Sequence, residues 1–195
     1  MAFEQSEYSD ETFQELDLRH QPVKDVSFYD CRFEDCHFNE ASLKRSRFIG
    51  CAFSGCDLSM ADLTDVGLTE VRFESSTLVG INWSPLAKTG VLETELAFNG
   101  CTLNYATFRN IGLSGSTFER CVMHDVAFDE VRLKEASFRS SDLRGSTFQR
   151  CDLSGANFGG AKDYQISVLD NKVRGAMFDF PEVVGLLAGL EIKIS

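Results

Sequence analysis

The sequence predicts an all-β solenoid, a chain that bends at short regular intervals around one continuous apolar interior. Three observations carry that prediction. From Phe28 a large apolar residue recurs at every fifth position as far as Trp83, and the series resumes in the same phase from Phe98 to Phe158. Two places before each of these centres stands a small or medium residue, as with Cys31 before Phe33, Ala41 before Leu43 and Ser146 before Phe148. The remaining places carry Asp, Glu, Arg, Lys, Asn, Ser, Thr and Gly.

No ordinary element buries such a pattern. On an α-helix, residues five apart are rotated by roughly 140° from one another, which smears the Phe set around the axis. On a straight strand an odd step sends successive Phe to opposite faces. A chain that turns a corner about every five residues sends them all inward, one large and one small residue per side. Glycines such as Gly50 and Gly55 fall two places after a centre, where a corner tolerates them best. Stacked coils then lie about 4.8 Å apart, joined by backbone hydrogen bonds as in a sheet.

Along the chain, residues 1–22 keep Tyr8, Phe13 and Leu18 in phase but place Ser6, Glu11 and Gln21 at the small positions, which reads as a degenerate first coil or cap. The repeat proper runs over 23–178, interrupted at 84–97. There the centres are Lys88 and Glu93, and Pro85 removes a backbone donor. Either two distorted sides continue the coil, or a loop leaves and re-enters it. After Phe158 the polar Asp163 interrupts the series, while Val168, Val173 and Phe178 stay in phase.

The grammar then changes. Asp179-Phe180-Pro181-Glu182 reads as a helix start, with Pro in the first turn and an acid at the positive end. Val183, Val184, Leu186, Leu187 and Leu190 follow, and Leu190–Ile194 alternates as a short strand with Ile192 and Ile194 on one face. This tail, 179–195, carries more apolar surface than capping a narrow rod uses. A two-fold homodimer through Phe178, Phe180, Pro181, these helix residues and Ile192 and Ile194 is the simplest cover. The alternative is a cap folded back onto the last coil.

The repeats resemble the pentapeptide-repeat family, whose pattern is written A-(D/N)-L-x-x. Ala61-Asp62-Leu63-Thr64-Asp65, Ser141-Asp142-Leu143-Arg144-Gly145 and Ala156-Asn157-Phe158-Gly159-Gly160 match it closely. The resemblance implies a right-handed quadrilateral β-helix with four repeats per coil, closed by a short C-terminal helix and strand. Within the family the chain is similar to the DNA-gyrase-protecting group, the Qnr, MfpA and albicidin-resistance proteins. It shares with them its length, the Asn82-Trp83 pair at the interruption and the closing Phe178–Glu182 segment. That likeness implies a C-terminal dimer, an acidic rod that imitates duplex DNA, and binding to DNA gyrase or topoisomerase IV that protects them from poisons. A pentapeptide-repeat scaffold for another protein is the alternative.

Composition narrows the rest. A net charge of −11 argues against direct nucleic-acid binding and favours a basic protein partner. No apolar run approaches the roughly 18 residues that span a membrane, and the acidic start does not resemble a signal peptide, so a cytoplasmic address is expected. Seven cysteines, an odd number, all occupy the small inward position, as buried hydrophobes do. The histidines, His20, His37 and His124, sit beside repeat centres on the outward side, and no nucleophile signature accompanies His124-Asp125. No phosphate loop occurs, so neither cofactor, metal nor catalysis is expected.

The charge is uneven. Residues 1–30 hold eight acids and two bases, 31–83 eight and five, and 98–162 seven and eight. The expected partner surface is therefore the acids of the outer coils, Asp30, Glu34, Asp35, Glu40, Asp57, Asp62, Asp65, Glu70 and Glu74, with Pro85 and Lys88 of the interruption supplying specificity.

Overall fold

The protein is described by a computed structural model that covers residues 3–86 and 94–190, apart from the side chains of 188 and 189. Each five-residue unit forms one side of a four-sided coil, and the coils stack in parallel register. Glu7 lies opposite Ser27, and Ser27 opposite Arg47, a step of twenty residues per coil. The first side, face A, is a sheet of β1 (Glu7–Ser9), β3 (Ser27–Tyr29), β5 (Arg47–Ile49) and β7 (Gly67–Thr69). Face B holds β2 (Thr12–Gln14), β4 (Arg32–Glu34), β6 (Ala52–Ser54), β8 (Val71–Glu74), β9 (Leu96–Asn99) and β11 (Thr117–Glu119). Face D holds β10 (Thr107–Arg109), β12 (Ala127–Asp129), β13 (Thr147–Gln149) and β14 (Gln165–Ile166). Face C is a ladder of single bridges, Asp17 to His37 to Asp57 to Thr77 to Thr102 to Val122 to Asp142.

The interior follows from the two inward columns. On face B the rings of Phe13, Phe33, Phe53 and Phe73 stack with centroids 5.1, 4.7 and 5.1 Å apart. Adjacent faces meet edge to face, as Phe28 meets Phe33 at 5.2 Å and 78°. Burying one such ring stabilises the fold by about 1.5–3 kcal/mol, and a favourable ring pair adds about 0.5–1.5 kcal/mol. The small column has its own logic. Ser76 Oγ accepts the Cys56 N–H at 3.1 Å and donates to the Glu74 carbonyl at 2.9 Å, so a buried backbone donor finds a partner one coil away. Asn171 does the same at the last coil, accepting from Cys151 N at 2.8 Å and donating to Phe148 O at 2.9 Å.

Corners sit two residues after each centre, and there the backbone turns left-handed: φ is 52° at Asp30, 51° at Asp35 and 65° at Gly50. Asp, Asn and Gly tolerate that region best. The corner N–H then bonds to the next coil, as Asp30 N does to Ile49 O at 2.8 Å.

At the interruption the register lengthens. Val71 pairs with Leu96 and Phe73 with Phe98, a step of twenty-five. That coil is five residues longer than its neighbours, and in sequence the surplus lies between Trp83 and Leu96. The ring columns pass it intact: Phe73 stacks on Phe98 at 5.1 Å, and Trp83 on Phe108 at 5.5 Å. Pro85, which has no N–H, contributes its carbonyl to Asp65 N at 2.9 Å. Lys88 and Glu93 lie outside the described residues.

The end of the rod departs from strict phase. Asp163 cannot enter the dry interior; it takes a left-handed φ of 56° on the surface. Tyr164 turns in instead, and Ile166 rather than Val168 pairs beside Phe148. Val168 is only half-buried, whereas Phe178 regains the column, 4.9 Å from Phe158. The closing segment, Glu182–Leu190, winds as a tight 3₁₀ helix, not an α-helix. Of the strand expected at Leu190–Ile194, Leu190 ends this helix, and the rest, with Ile192 and Ile194, falls outside the described residues.

Candidate partner-binding surface

The inward positions are committed to packing, so any partner meets the corners and the two outward positions of each side. Corners carry Asp30, Asp35, Glu40, Asp65 and Glu70, each with positive φ. Glu34 and Glu74 flank face B centres; Asp57 and Asp62 precede the centres of faces C and D. These acids fall into three groups.

Asp57 and Asp62 serve the fold. Asp57 Oδ1 accepts the Ser59 N–H at 2.9 Å, and Asp62 Oδ1 accepts the Thr64 N–H at 3.0 Å, each closing a turn within its own repeat. Asn82, Asp142, Asp152 and Asn157 repeat that bond, which accounts for the Asp/Asn preference of the position. Burial opposes ionisation of Asp57, but the bonds from Ser59 and Asn39 outweigh it and hold the carboxyl below the usual range. Asp62 behaves alike: burial opposes, while Thr64 and Lys44, 2.9 Å away, prevail.

Glu34 and Glu40 are partly engaged, Glu34 by Gln14 Nε2 at 2.7 Å and Glu40 by His20 Nδ1 at 3.2 Å. Asp30, Asp35, Asp65, Glu70 and Glu74 have no cation within ion-pair distance among the described residues. Two of these acids fix their neighbours. A Cβ on Gly50 would meet Asp30 Oδ1, and one on Gly55 Asp35 Oδ1, so a side chain at either corner requires the carboxylate to turn aside as well as a left-handed φ.

The far half is arranged differently. Arg150 lies against Asp129 and, at 3.1 Å, Glu130; Arg109 reaches Asp129 at 3.0 Å. Lys134 and Lys172 bracket Asp152 at 3.8 and 3.7 Å. His124 Nε2 stands 2.9 Å from Asp142 of the next coil, with Arg144 beside its ring, and takes part in this surface network instead of pairing with Asp125.

The tail residues divide between rod and solvent. Leu186 is buried, with Val183 and Phe178 half-buried against the last coil, so one side of the helix closes the rod. Phe180 is 82% exposed, and Val184, Leu169 and Met177 are exposed as well. Pro181 is also exposed, and Leu187 and Leu190 are partly covered.

All seven cysteines are buried free thiols. Burial pushes Cys51 and Cys151 up to about 11. Among the described residues no group of His, Cys, Asp and Glu has metal-ligating geometry, and no helix is long and apolar enough to cross a membrane. Two exposed residues escaped the sequence reading, Met60 and Tyr105, both at left-handed corners. Their position, two after a centre, was the available signal.

A four-sided parallel solenoid whose chemistry lies entirely on its outer positions defines a repeat-built protein of the β-helix class. The family is equally plain: the pentapeptide repeat region model matches residues 21–108 and 91–158, and the chain belongs to that family. Among solved structures, a trypsin-treated variant of QnrB1, a plasmid-mediated fluoroquinolone resistance protein, is similar at a TM-score of 0.55 and 16% identity, covering 97% of this chain and 98% of that one. Full-length QnrB1 gives 0.51 at 16%, covering 95% and 100%. HetL from the cyanobacterium Nostoc sp. strain PCC 7120, a pentapeptide repeat protein involved in heterocyst differentiation regulation, gives 0.51 at 16%, covering 88% and 84%. At that identity the likeness is one of fold. No curated protein sequence matches the chain.

Proposed function

We propose that this protein is a non-enzymatic binding rod that docks on DNA gyrase or topoisomerase IV as a partial imitation of duplex DNA and shields the enzyme from poisons. The observation that carries the reading is the set of acids without a cation among the described residues, Asp30, Asp35, Asp65, Glu70 and Glu74, spread over three corners and face B of the first half. They present fixed negative charge on a rigid rod, as a phosphate backbone does. QnrB1, similar in fold over nearly its whole length, is a fluoroquinolone resistance protein, which supports the same direction.

Two copies joined through Phe180, Val184, Met177 and Leu169 would bury the apolar surface that the end of the rod leaves outward. Eight or so coils at about 4.8 Å give roughly 75 Å for the pair. With −11 per chain, the pair carries one net charge per roughly 3.5 Å, against about 1.7 Å in duplex DNA. The mimicry is therefore partial, and strongest toward the outer ends.

The test is a gyrase supercoiling reaction with and without a quinolone. The protein is expected to alter supercoiling and to reduce the cleavage complexes that the drug traps. No effect on supercoiling, cleavage complexes or binding would overturn the reading in favour of a scaffold for another protein.

A further inference from the structure

Apart from the terminal segment, the exposed large apolar side chains among the described residues are Met60, Tyr105 and Val122, at 61%, 63% and 37% exposure. They gather on one side of the rod. Met60 and Tyr105 occupy the corner between faces C and D in coils separated only by the Gly80 coil, for Met60 N bonds to Val79 O and Gly80 N to Asn104 O, both at 2.9 Å. Val122 lies on face C, opposite Thr102. Met60 Sδ rests over Gly80, where a Cβ would strike it, so the thioether runs along the edge in the space glycine leaves.

Neither side chain belongs to the buried core. Met60 and Tyr105 have φ of 59° and 62°, a region that bulky residues enter only at a cost, and the other left-handed corners hold Asp, Glu, Asn, Ser, Arg, His or Gly. Asn or Gly would suit both corners better. An exposed Met and Tyr in strained backbone are the mark of a contact surface: a flexible thioether and an amphipathic ring are well suited to protein interfaces.

The surrounding charge selects the occupant. Along the same edge Glu40 precedes Met60 by one coil and Asp125 follows Tyr105 by one coil. A second copy packed here about a two-fold axis would set Glu40 against Asp125 and −11 against −11. A protein surface with an apolar centre between two cations is complementary instead. We infer that the Met60–Gly80–Tyr105 edge is the specific grip on the topoisomerase, an apolar strip that binds between basic residues on a surface built to hold DNA. The inference rests on the function proposed above and assigns to this edge the contact that acids alone do not specify.

The experiment measures binding of the full chain to immobilised purified DNA gyrase. The Met60→Asn/Tyr105→Asn double variant is compared with the wild type, with circular dichroism, thermal melting and solution mass for both. The double variant is expected to bind about tenfold more weakly or worse, with an unchanged spectrum and a melting temperature equal or higher. The single variants, each expected to lose part of the affinity, carry the test if the double variant folds poorly. Wild-type binding that the substitutions leave intact overturns this inference alone; absence of wild-type binding overturns the topoisomerase reading with it. A change in solution mass, without loss of gyrase binding, would assign the edge to self-association and overturn the inference as well.

Discussion

Residues 3–83 and 98–178 stack the same rings at the same spacing: Phe33 and Phe53 are 4.7 Å apart in the first half, Phe128 and Phe148 4.8 Å in the second. Outside, the halves differ. Among the described residues the first leaves Asp30, Asp35, Glu70 and Glu74 without cations, whereas the second threads Arg109, Lys134, Arg150 and Lys172 among its acids. Volume and dryness dictate the inward positions of every coil, so they say little about what this rod does. The outward positions are released from that constraint, and there the halves diverge into a field-bearing end and a neutralised one.

The interior side of the comparison breaks first under a cavity. Phe53→Ala and Phe128→Ala should each cost about 3–5 kcal/mol in urea unfolding, with little difference between them. A gap of more than about 2 kcal/mol would show that the two cores are not equivalent. Corners come next. Gly115→Ala should cost about 1–2 kcal/mol from left-handed strain alone, because its Cβ would meet only Glu95 Cδ at 3.8 Å. Gly55→Ala should cost more, since Asp35 must also turn aside.

The exterior is probed by charge. Asp30→Asn, Glu70→Gln and Glu74→Gln combined should weaken gyrase binding about tenfold at low ionic strength and flatten its salt dependence. Glu130→Gln, in the neutralised half, should do neither. Equal effects at both ends would erase the proposed asymmetry.

A further probe, common to both halves, is alkaline. Cys51 in one half and Cys151 in the other hold their protons up to about 11, while unfolded thiols ionise near about 8.5. The folded state binds more protons between those values, so this contribution is complete below the lower one and declines as pH rises toward the upper. Melting temperature should fall over that window, less steeply for Cys51→Ser or Cys151→Ser, and the thiols should stay unreactive to aromatic disulfide reagents while the rod is folded.

The coil was legible because one period of five ordered Phe28 through Phe158 into a single inward set. What escaped has physical reasons. The surplus at 84–97 is a whole repeat, so the phase survives on either side and only the register, Val71 against Leu96, reveals a longer coil. The slip after Asp163 depends on Tyr164 and Ile166 competing for the interior, which a fixed step of five does not represent. Acids could be picked out by number but not by task. Asp57 and Asp62 bond their own turns, a role implicit in the A-(D/N)-L pattern, whereas Asp25 meets Arg45 at 2.7 Å only because the two are one coil apart. Reading at offsets of twenty would have found that pair; nothing in linear spacing marks Met60 and Tyr105 except the corner they share.

The twenty-five-residue coil has a genetic corollary. A chain that counts in fives accepts or loses five codons at a corner and returns every downstream ring to the same hollow. A single added codon must instead be absorbed locally, as the eighteen-residue step from Phe148 to Ile166 is before Phe178 regains the column. Length variation in genes for such rods is therefore expected in steps of fifteen nucleotides, with smaller indels confined to the tail.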